Sequence, residues 1–430
     1  MLKIGVDPDK DPKDEDDYYD ADIYSLIAGR VMGNTYVTMN GGHVGRNVYG
    51  GGNMGSVGKG NYACGSDDYY PAGYGETLNG SATDAAKTLW DSGNENSIAF
   101  LNSGKTTVQV LGGIVGYEND PTKTKNNLPY GNVFGGSAGE AAPNVPASAS
   151  PRYLYCPAFF SGYVNETDVT IGTSGQVTDE NAGKPGYAPK ILCSVYGGGQ
   201  DGHVRRDTKV TVYSGEIGMP YTTENQALLN TDNLDDPMWM HRGNIYGGGS
   251  GISEYKFHFN YTDDDYDDTV VIDGREYKET DYSTSAGSVT RFTDVNVMGG
   301  IIHRNVYGGG SMGSVGAPTL PPSRADLPDK KGDTTPGHGV GWQSQNTVNI
   351  GGGTTVVTIG TPTGYNKTYG GEVYGACRGM SILDPNQYAN SVWTKVNIFD
   401  KSTIRGNVYG GGDSGIVKKD SEVKIGGERP

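Results

Sequence analysis

The chain has 430 residues, a formal net charge of −16 and 70 glycines. At about 16% glycine, against roughly 7% in average usage, and without a Gly-X-Y period, it is not collagen; frequent tyrosine sets it apart from simple low-complexity chains. The acidic balance argues against nucleic acid and anionic membrane surfaces as partners, since both need a cationic patch, and no apolar run approaches the roughly 20 residues of a membrane helix.

Residues 1–28 read as an N-terminal strand and acidic loop. Met1 to Gly5 is strand-like, and Asp7 to Asp22 carries nine carboxylates. Asp7, Asp9 and Asp11 alternate as calcium ligands do, but the turn glycine and terminal bidentate Glu of a calcium loop are out of register. A solvated loop is therefore expected, with no cofactor or metal and calcium as the minor alternative. No signal peptide is visible, which fits a mature form, a fragment or an intracellular chain. The four cysteines, Cys64, Cys156, Cys193 and Cys377, show no metal spacing; two disulfides or four idle thiols are both open.

Residues 29–430 are organised by one hexapeptide. It reads Asn47-Val48-Tyr49-Gly-Gly-Gly, Asn244-Ile245-Tyr246-Gly-Gly-Gly, Asn305-Val306-Tyr307-Gly-Gly-Gly and Asn407-Val408-Tyr409-Gly-Gly-Gly. Weaker copies begin at Asn132-Val133-Phe134, Ser194-Val195-Tyr196 and Glu372-Val373-Tyr374. Segments alternating apolar with polar at period two, the mark of a half-buried strand, occur at 36–39, 107–110, 168–171, 209–212, 294–297, 347–350, 356–359, 395–398 and 422–425. A third element follows the hexapeptide, as in Met54-Gly55-Ser56-Val57-Gly58 and Met312-Gly313-Ser314-Val315-Gly316.

Spacing selects the fold. Val195 to Val210 and Val408 to Val423 are 15 residues apart, and Val37 to Val48 and Val295 to Val306 are 11. A minimal coil of about 26 residues with three short strands is too short for a propeller blade. We expect an all-β single domain: a parallel β-solenoid, or right-handed β-helix, of about 7–8 coils. Long inserted loops near 61–104, 137–165, 219–241, 253–292 and 317–345 would leave the stack at corners and gather on one face. The hexapeptide valines should stack inside, with Asn and Tyr ladders on the opposite face. Glycine should serve sharp corners, often at positive φ, and close approach of stacked backbones.

The unit [Thr/Ser]-x-Val-x-Ile-x-Gly-Gly-x-Ile…Asn-Val-Tyr-Gly-Gly-Gly-x-x-Gly-x-Val resembles the glycine-rich repeats of large secreted surface proteins of Bacteroidetes, which are similar to parallel β-helix adhesins. The resemblance covers the repeat cores, about half the residues. It implies an extracellular or cell-surface address and an adhesive or fibrous role, and it transfers no catalytic residue.

Candidate chemistry is sparse. Parallel β-helices also host polysaccharide lyases and glycosidases, which use paired carboxylates. The acids Asp232, Asp235, Asp236, Asp263, Asp264, Asp265, Asp267 and Asp268 all lie in polar insertions, where solvation is the default. Of the histidines, His43 and His303 both follow Gly-Gly and read as one inherited repeat position; no pair has metal spacing. Asn79, Asn165, Asn260 and Asn366 fit the N-glycosylation sequon, and Thr269 and Thr334 fit an O-glycosylation pattern of Bacteroidetes. Trp239, Trp342, Trp393, Tyr69, Tyr70, Tyr266 and Tyr282 offer a sugar-stacking surface or, on the plainer reading, anchor insertions to the coil flank.

Both ends look strand-like. Leu2 and Ile4 in the first residues resemble Val423 and Ile425 in the last. Bare solenoid ends expose unpaired edges and complement each other without closing, so head-to-tail self-association is expected. Catalysis is not expected. The alternative is a carbohydrate-binding or carbohydrate-cleaving β-helix acting through its insertions, with host or bacterial glycans as partners.

Overall fold

The computed structural model describes residues 29–58, 104–117, 124–125, 128–141, 162–229, 237–256, 269–272, 275–278, 280–283, 286–316, 344–362, 368–381 and 388–430. Three parallel sheets run the length of a stack. The first has eight strands: Thr35–Met39, Lys105–Val110, Glu166–Ile171, Thr208–Val212, Phe292–Val297, Gln345–Ile350, Trp393–Ile398 and Ser421–Ile425. The second has seven, from His43–Val44 to Ser402–Ile404, and the third has seven two-residue strands, from Val48–Tyr49 to Val408–Tyr409. The strands pair in register, so that in the first and third sheets aliphatic residues, mostly Val and Ile, stack on one another coil upon coil. The chain is a parallel β-solenoid of seven full coils and the opening strand of an eighth.

The period-two segments form the first sheet because their apolar residues alternate with polar ones and point inward. The exception is 356–359, whose Val357–Ile359 lies in the second sheet; the alternation fits either place. The second sheet is built from strands of two or three residues, too short to stand out in the sequence; His43–Val44 and Ile114–Val115 directly follow a Gly-Gly pair, and most of the others do not. The element after the hexapeptide makes single bridges instead of a sheet: Val31 with Val57, Val204 with Val289, Val289 with Val315 and Ser391 with Val417.

Inside, aliphatic columns from the three sheets form one core, including Val108, Val169, Val210, Val295, Val348 and Val396 from the first sheet and Val133, Val195, Ile245, Val306 and Val373 from the third. Burying each such side chain stabilises by about 1.5–3 kcal/mol. A buried threonine column crosses this core. Thr106, Thr167, Thr208 and Thr293 donate from Oγ1 to the carbonyls of Gly135, Gly197, Gly247 and Gly308, each at 2.5 Å. These bonds tie the first sheet to the corner after the third.

The first glycine of the hexapeptide sits where neighbouring coils come closest. A Cβ on Gly308 would lie 2.2 Å from the Gly375 carbonyl, and one on Gly247 2.1 Å from the Gly308 carbonyl. Neither has positive φ; the turning glycines with positive φ lie elsewhere, such as Gly113 (φ 83) and Gly300 (φ 94) at the corner between the first two sheets. Backbone proximity, rather than left-handed geometry, thus explains the hexapeptide glycines. Gly309 is of the same kind: its Cβ would meet Cys377 Sγ at 2.3 Å.

Insertions leave at four different corners, not on one face. Segments 118–127, 218–243 and 363–367 depart between the second and third sheets, 142–161, 254–285 and 382–387 before the bridge corner, and 59–103 and 317–343 after it; 172–189, which sequence reading missed, sits between the first and second sheets. The 218–243 segment carries two short helices, Thr223–Leu229 and Pro237–Met240. Glu254–Lys256 pairs antiparallel with Thr280–Tyr282, and Thr269–Ile272 with Arg275–Lys278. No helix of the described residues is long and apolar enough to cross a membrane.

Candidate functional site

The outer side of the third sheet carries the predicted aromatic ladder. Tyr49, Phe134, Tyr196, Tyr246, Tyr307, Tyr374 and Tyr409 stack with centroids 4.7–5.0 Å apart and planes within 16°. Side chains following the hexapeptide, among them Ile252 and Met312, cover it and make a second core. Burial pushes the Tyr49 phenol up to about 12 and the Tyr196 and Tyr307 phenols well above their ordinary value, so these three are neutral at physiological pH. The asparagines do less amide-to-amide bonding than expected. Asn47 Oδ1 accepts from the Gly131 and Asn132 amides at 3.0 Å, and Asn305 Oδ1 from Gly371 at 2.9 Å and Glu372 at 3.1 Å. Asn132 and Asn244 likewise accept from the amides of Ser194 and Asn305. Each side chain therefore fastens the backbone of the next coil. A side-chain amide ladder does run up the first sheet, where Asn349 donates to Asn296 at 3.1 Å and Asn397 to Asn349 at 2.8 Å.

The C-terminal end of the stack is where these columns meet solvent. Val423 and Ile425 continue the columns of Val396 and Ile398 in register, yet they are 41% and 71% exposed. Tyr409, the last ring of the ladder, is 42% exposed. The end is stepped, because the first sheet reaches one strand further than the other two. The final residues do not fold over it. Arg429 instead lies down the flank, donating to the Gly351 carbonyl at 3.4 Å and to Asn296 Oδ1, with its guanidinium 5.7 Å from the Phe399 ring centroid. Charges line the edge: Lys424 Nζ meets Glu422 at 2.7 Å, and that hydrogen bond, with Lys395 nearby, holds the Glu422 carboxyl below its usual range.

Leu2 and Ile4, the other half of the expected self-association pair, lie outside the described residues, as does the acidic loop. So do Asn79, Asn260, Asn366, Thr334, Trp342, Tyr69, Tyr70, Tyr266 and the acids at 232–236 and 263–268. Thr269 begins one strand of a hairpin. Asn165 is fully buried in the stack, so the expected glycan there has no room; its sequon is a by-product of the coil. Trp239 is also fully buried, edge-on to Tyr221 at 5.2 Å; it anchors its insertion and offers no face to a sugar. Cys193 and Cys377 are free and buried, which raises both thiols to about 11.

His43 and His303 are not equivalent. Register places His43 opposite Ile114 and Ile301 opposite Glu216, so His303 stands two residues further on. There it joins a polar line up the flank that sequence reading missed: Lys190 Nζ to Glu216 Oε2 at 3.4 Å, Glu216 Oε1 to His303 Nε2 at 2.8 Å, and His303 Nδ1 to Thr361 Oγ1. Burial alone would raise the Glu216 carboxyl, but the His303 hydrogen bond and the His303 and Lys190 charges outweigh it and leave it below its usual value. The groups come from four successive coils, with His303 and Thr361 buried and Lys190 and Glu216 partly exposed, an arrangement that ties coils together. The spacing alone separates the two: His43 directly follows Gly42 and lies four residues before Asn47, whereas His303 is three residues past Gly300 and two before Asn305. Among the described residues no group of three or more His, Cys, Asp or Glu is placed to hold a metal ion.

Comparison of the chain with family models, with curated proteins and with solved structures found no match.

Proposed function

We propose that the chain is an extracellular structural or adhesive solenoid that associates end to end, one copy's last coil continuing into another copy's first, without catalysis. The observation that supports this reading is the exposure of Val423 and Ile425 in register with columns that are buried from Val108 and Val110 through Val396 and Ile398. A strand edge that has an apolar column and unpaired backbone groups is a template for another strand. A contact between the two different ends of a stack does not close, so it yields a filament. The extracellular address rests on the resemblance of the repeat to secreted surface proteins. In a longer repeat protein, neighbouring coils of the same chain would cover the same edge.

The test is sedimentation of the 430-residue chain over a range of concentrations, with electron microscopy of the most concentrated sample. Concentration-dependent filaments are expected. Replacing Val423 and Ile425 by proline removes amide donors from the terminal strand and should abolish them. A native chain that stays monomeric throughout, or a double-proline variant that assembles equally well, would overturn the proposal. The carbohydrate reading would be revived by polysaccharide turnover that a single carboxylate substitution eliminates.

A further inference from the structure

The residue after each Gly-Gly-Gly, or its equivalent, forms a column beside the tyrosine hydroxyls. In the later coils it runs Gln200, Ser250, Ser311, Arg378 and Asp413. The lower part of this column is satisfied internally. Tyr49 donates to Gln200 Oε1 at 2.6 Å, Gln200 Nε2 donates to Ser253 Oγ at 3.4 Å, and Ser253 donates to Asp201 at 2.7 Å.

The upper part is different. Arg378 is only 7% exposed. Its guanidinium makes no ion pair and no side-chain hydrogen bond among the described residues, and its Nη1 is wholly enclosed. The nearest acid in the column, Asp413, is itself exposed and forms no ion pair with it. Ser250 and Ser311 lie beside the Tyr196 and Tyr246 phenols. The four hydroxyl oxygens are buried and, beyond the approaches of Ser250 to Tyr196 and Ser311 to Tyr246, have no partner among the described residues. His241, enclosed as well, also has an unpartnered Nδ1; burial first, then the charges of Arg378 and Arg304, holds it well below its usual value, hence neutral. Among the described residues, the groups that feel the Arg378 charge are three phenols whose ionisation burial opposes and a neutral imidazole.

A guanidinium cannot shed its proton at any accessible pH, and an uncompensated buried charge is among the costliest features a fold can carry. Hydroxyl donors around a fixed cation are the donor set that a small anion requires. We propose that Arg378, with the hydroxyls of Ser250, Ser311, Tyr196 and Tyr246, holds a small inorganic anion against the buried side of the tyrosine stack. The site lies inside the stack and is independent of end-to-end association.

Bromide is the probe, because it scatters anomalously and replaces chloride. Crystals of the full chain grown in bromide should show an anomalous peak within hydrogen-bond distance of Arg378. In parallel, thermal unfolding is followed at fixed ionic strength as gluconate is exchanged for chloride, and in a separate series for phosphate. Stabilisation that grows with the logarithm of anion concentration is expected, and Arg378→Met should remove at least about nine-tenths of it. The chloride and phosphate series distinguish a halide site from an oxyanion site. If Arg378→Met does not fold, the bromide map of the unaltered chain still decides. No anomalous peak at Arg378, or an equal anion response in both proteins, would overturn the assignment.

Discussion

Tyr246 and Tyr409 occupy the same position of the same repeat, on equivalent short strands of the third sheet, in one continuous stack of rings. Tyr246 is fully enclosed; Tyr409 is 42% exposed. Ile245 and Ile425 differ in the same way, one inside the aliphatic column of the third sheet and the other 71% exposed at the end of a first-sheet column. Burial here belongs to the stack and not to the residue. Each coil supplies half an interface, and its apolar surface leaves water only when a neighbour arrives. Stability should therefore behave as a sum of neighbour terms, large in the middle and small at the end.

The strongest way to break that comparison uses glycine. Gly308→Ala places a methyl 2.2 Å from a backbone carbonyl of the next coil, with Val348 also within 3.0 Å. It should cost roughly 3 kcal/mol or more by forcing two coils apart. Gly411→Ala, at the last hexapeptide, meets nothing within 4 Å and should stay within about 0.5 kcal/mol of the unaltered chain. Denaturant unfolding of both variants checks this, and equal losses would refute the neighbour rule.

Truncating the core gives the next effect. Ile245→Ala should cost about 2–5 kcal/mol, whereas Ile425→Ala should cost under about 0.5. Were filaments to form, the second figure should rise toward the first in conditions that favour assembly, which joins this measurement to the proposed function. Smaller again is the loss of the threonine bond. Thr208→Val leaves the buried Gly247 carbonyl without its donor and should cost about 1–3 kcal/mol. Thr35→Val removes the corresponding 2.6 Å bond in the half-buried first coil, where water can substitute, and should cost less.

The smallest effect is pH-dependent. Glu216 is held below its ordinary value, so its contribution is fully present above that value, near 4.5, and is lost as pH falls through the lower folded-state value. Glu216→Gln should cost about 1 kcal/mol at neutral pH, and its deficit should shrink in acid until the two unfolding curves converge. A deficit that stays constant with pH would place the effect in packing instead of charge.

The repeat made much of the fold legible. Asn-Val-Tyr-Gly-Gly-Gly fixes the third sheet, the aliphatic column and the ring stack, because position two must face in when positions one and three face out. The period-two segments give seven strands of the first sheet from an internal strand pattern, and 422–425 the eighth. The second sheet stayed hidden because two residues such as Glu216 and Ile217 carry no periodicity. The role of Gly308 was misread because a sequence shows that a Cβ is missing and not what it would strike. His303 was misaligned because the two histidines were matched by nearness to Gly-Gly, although His43 directly follows Gly42 and His303 stands three residues after Gly300. Arg378 gave no signal at all: it reads as a surface cation in a corner, and only the fold reveals that a coil and a row of rings enclose it.

All inter-coil hydrogen bonds of the three sheets run parallel to the stack axis, which gives the molecule a mechanical direction. Pulled along that axis, the bonds of one coil are loaded together, but those of the outermost coil yield first because it has one neighbour. The solenoid should therefore peel from its ends in discrete steps. A minimal coil of about 26 residues would release roughly 90 Å of chain, and each coil that carries an insertion would release more. A force–extension trace would then spell out the order of short and long coils, and its step lengths would serve as a map of where the insertions lie.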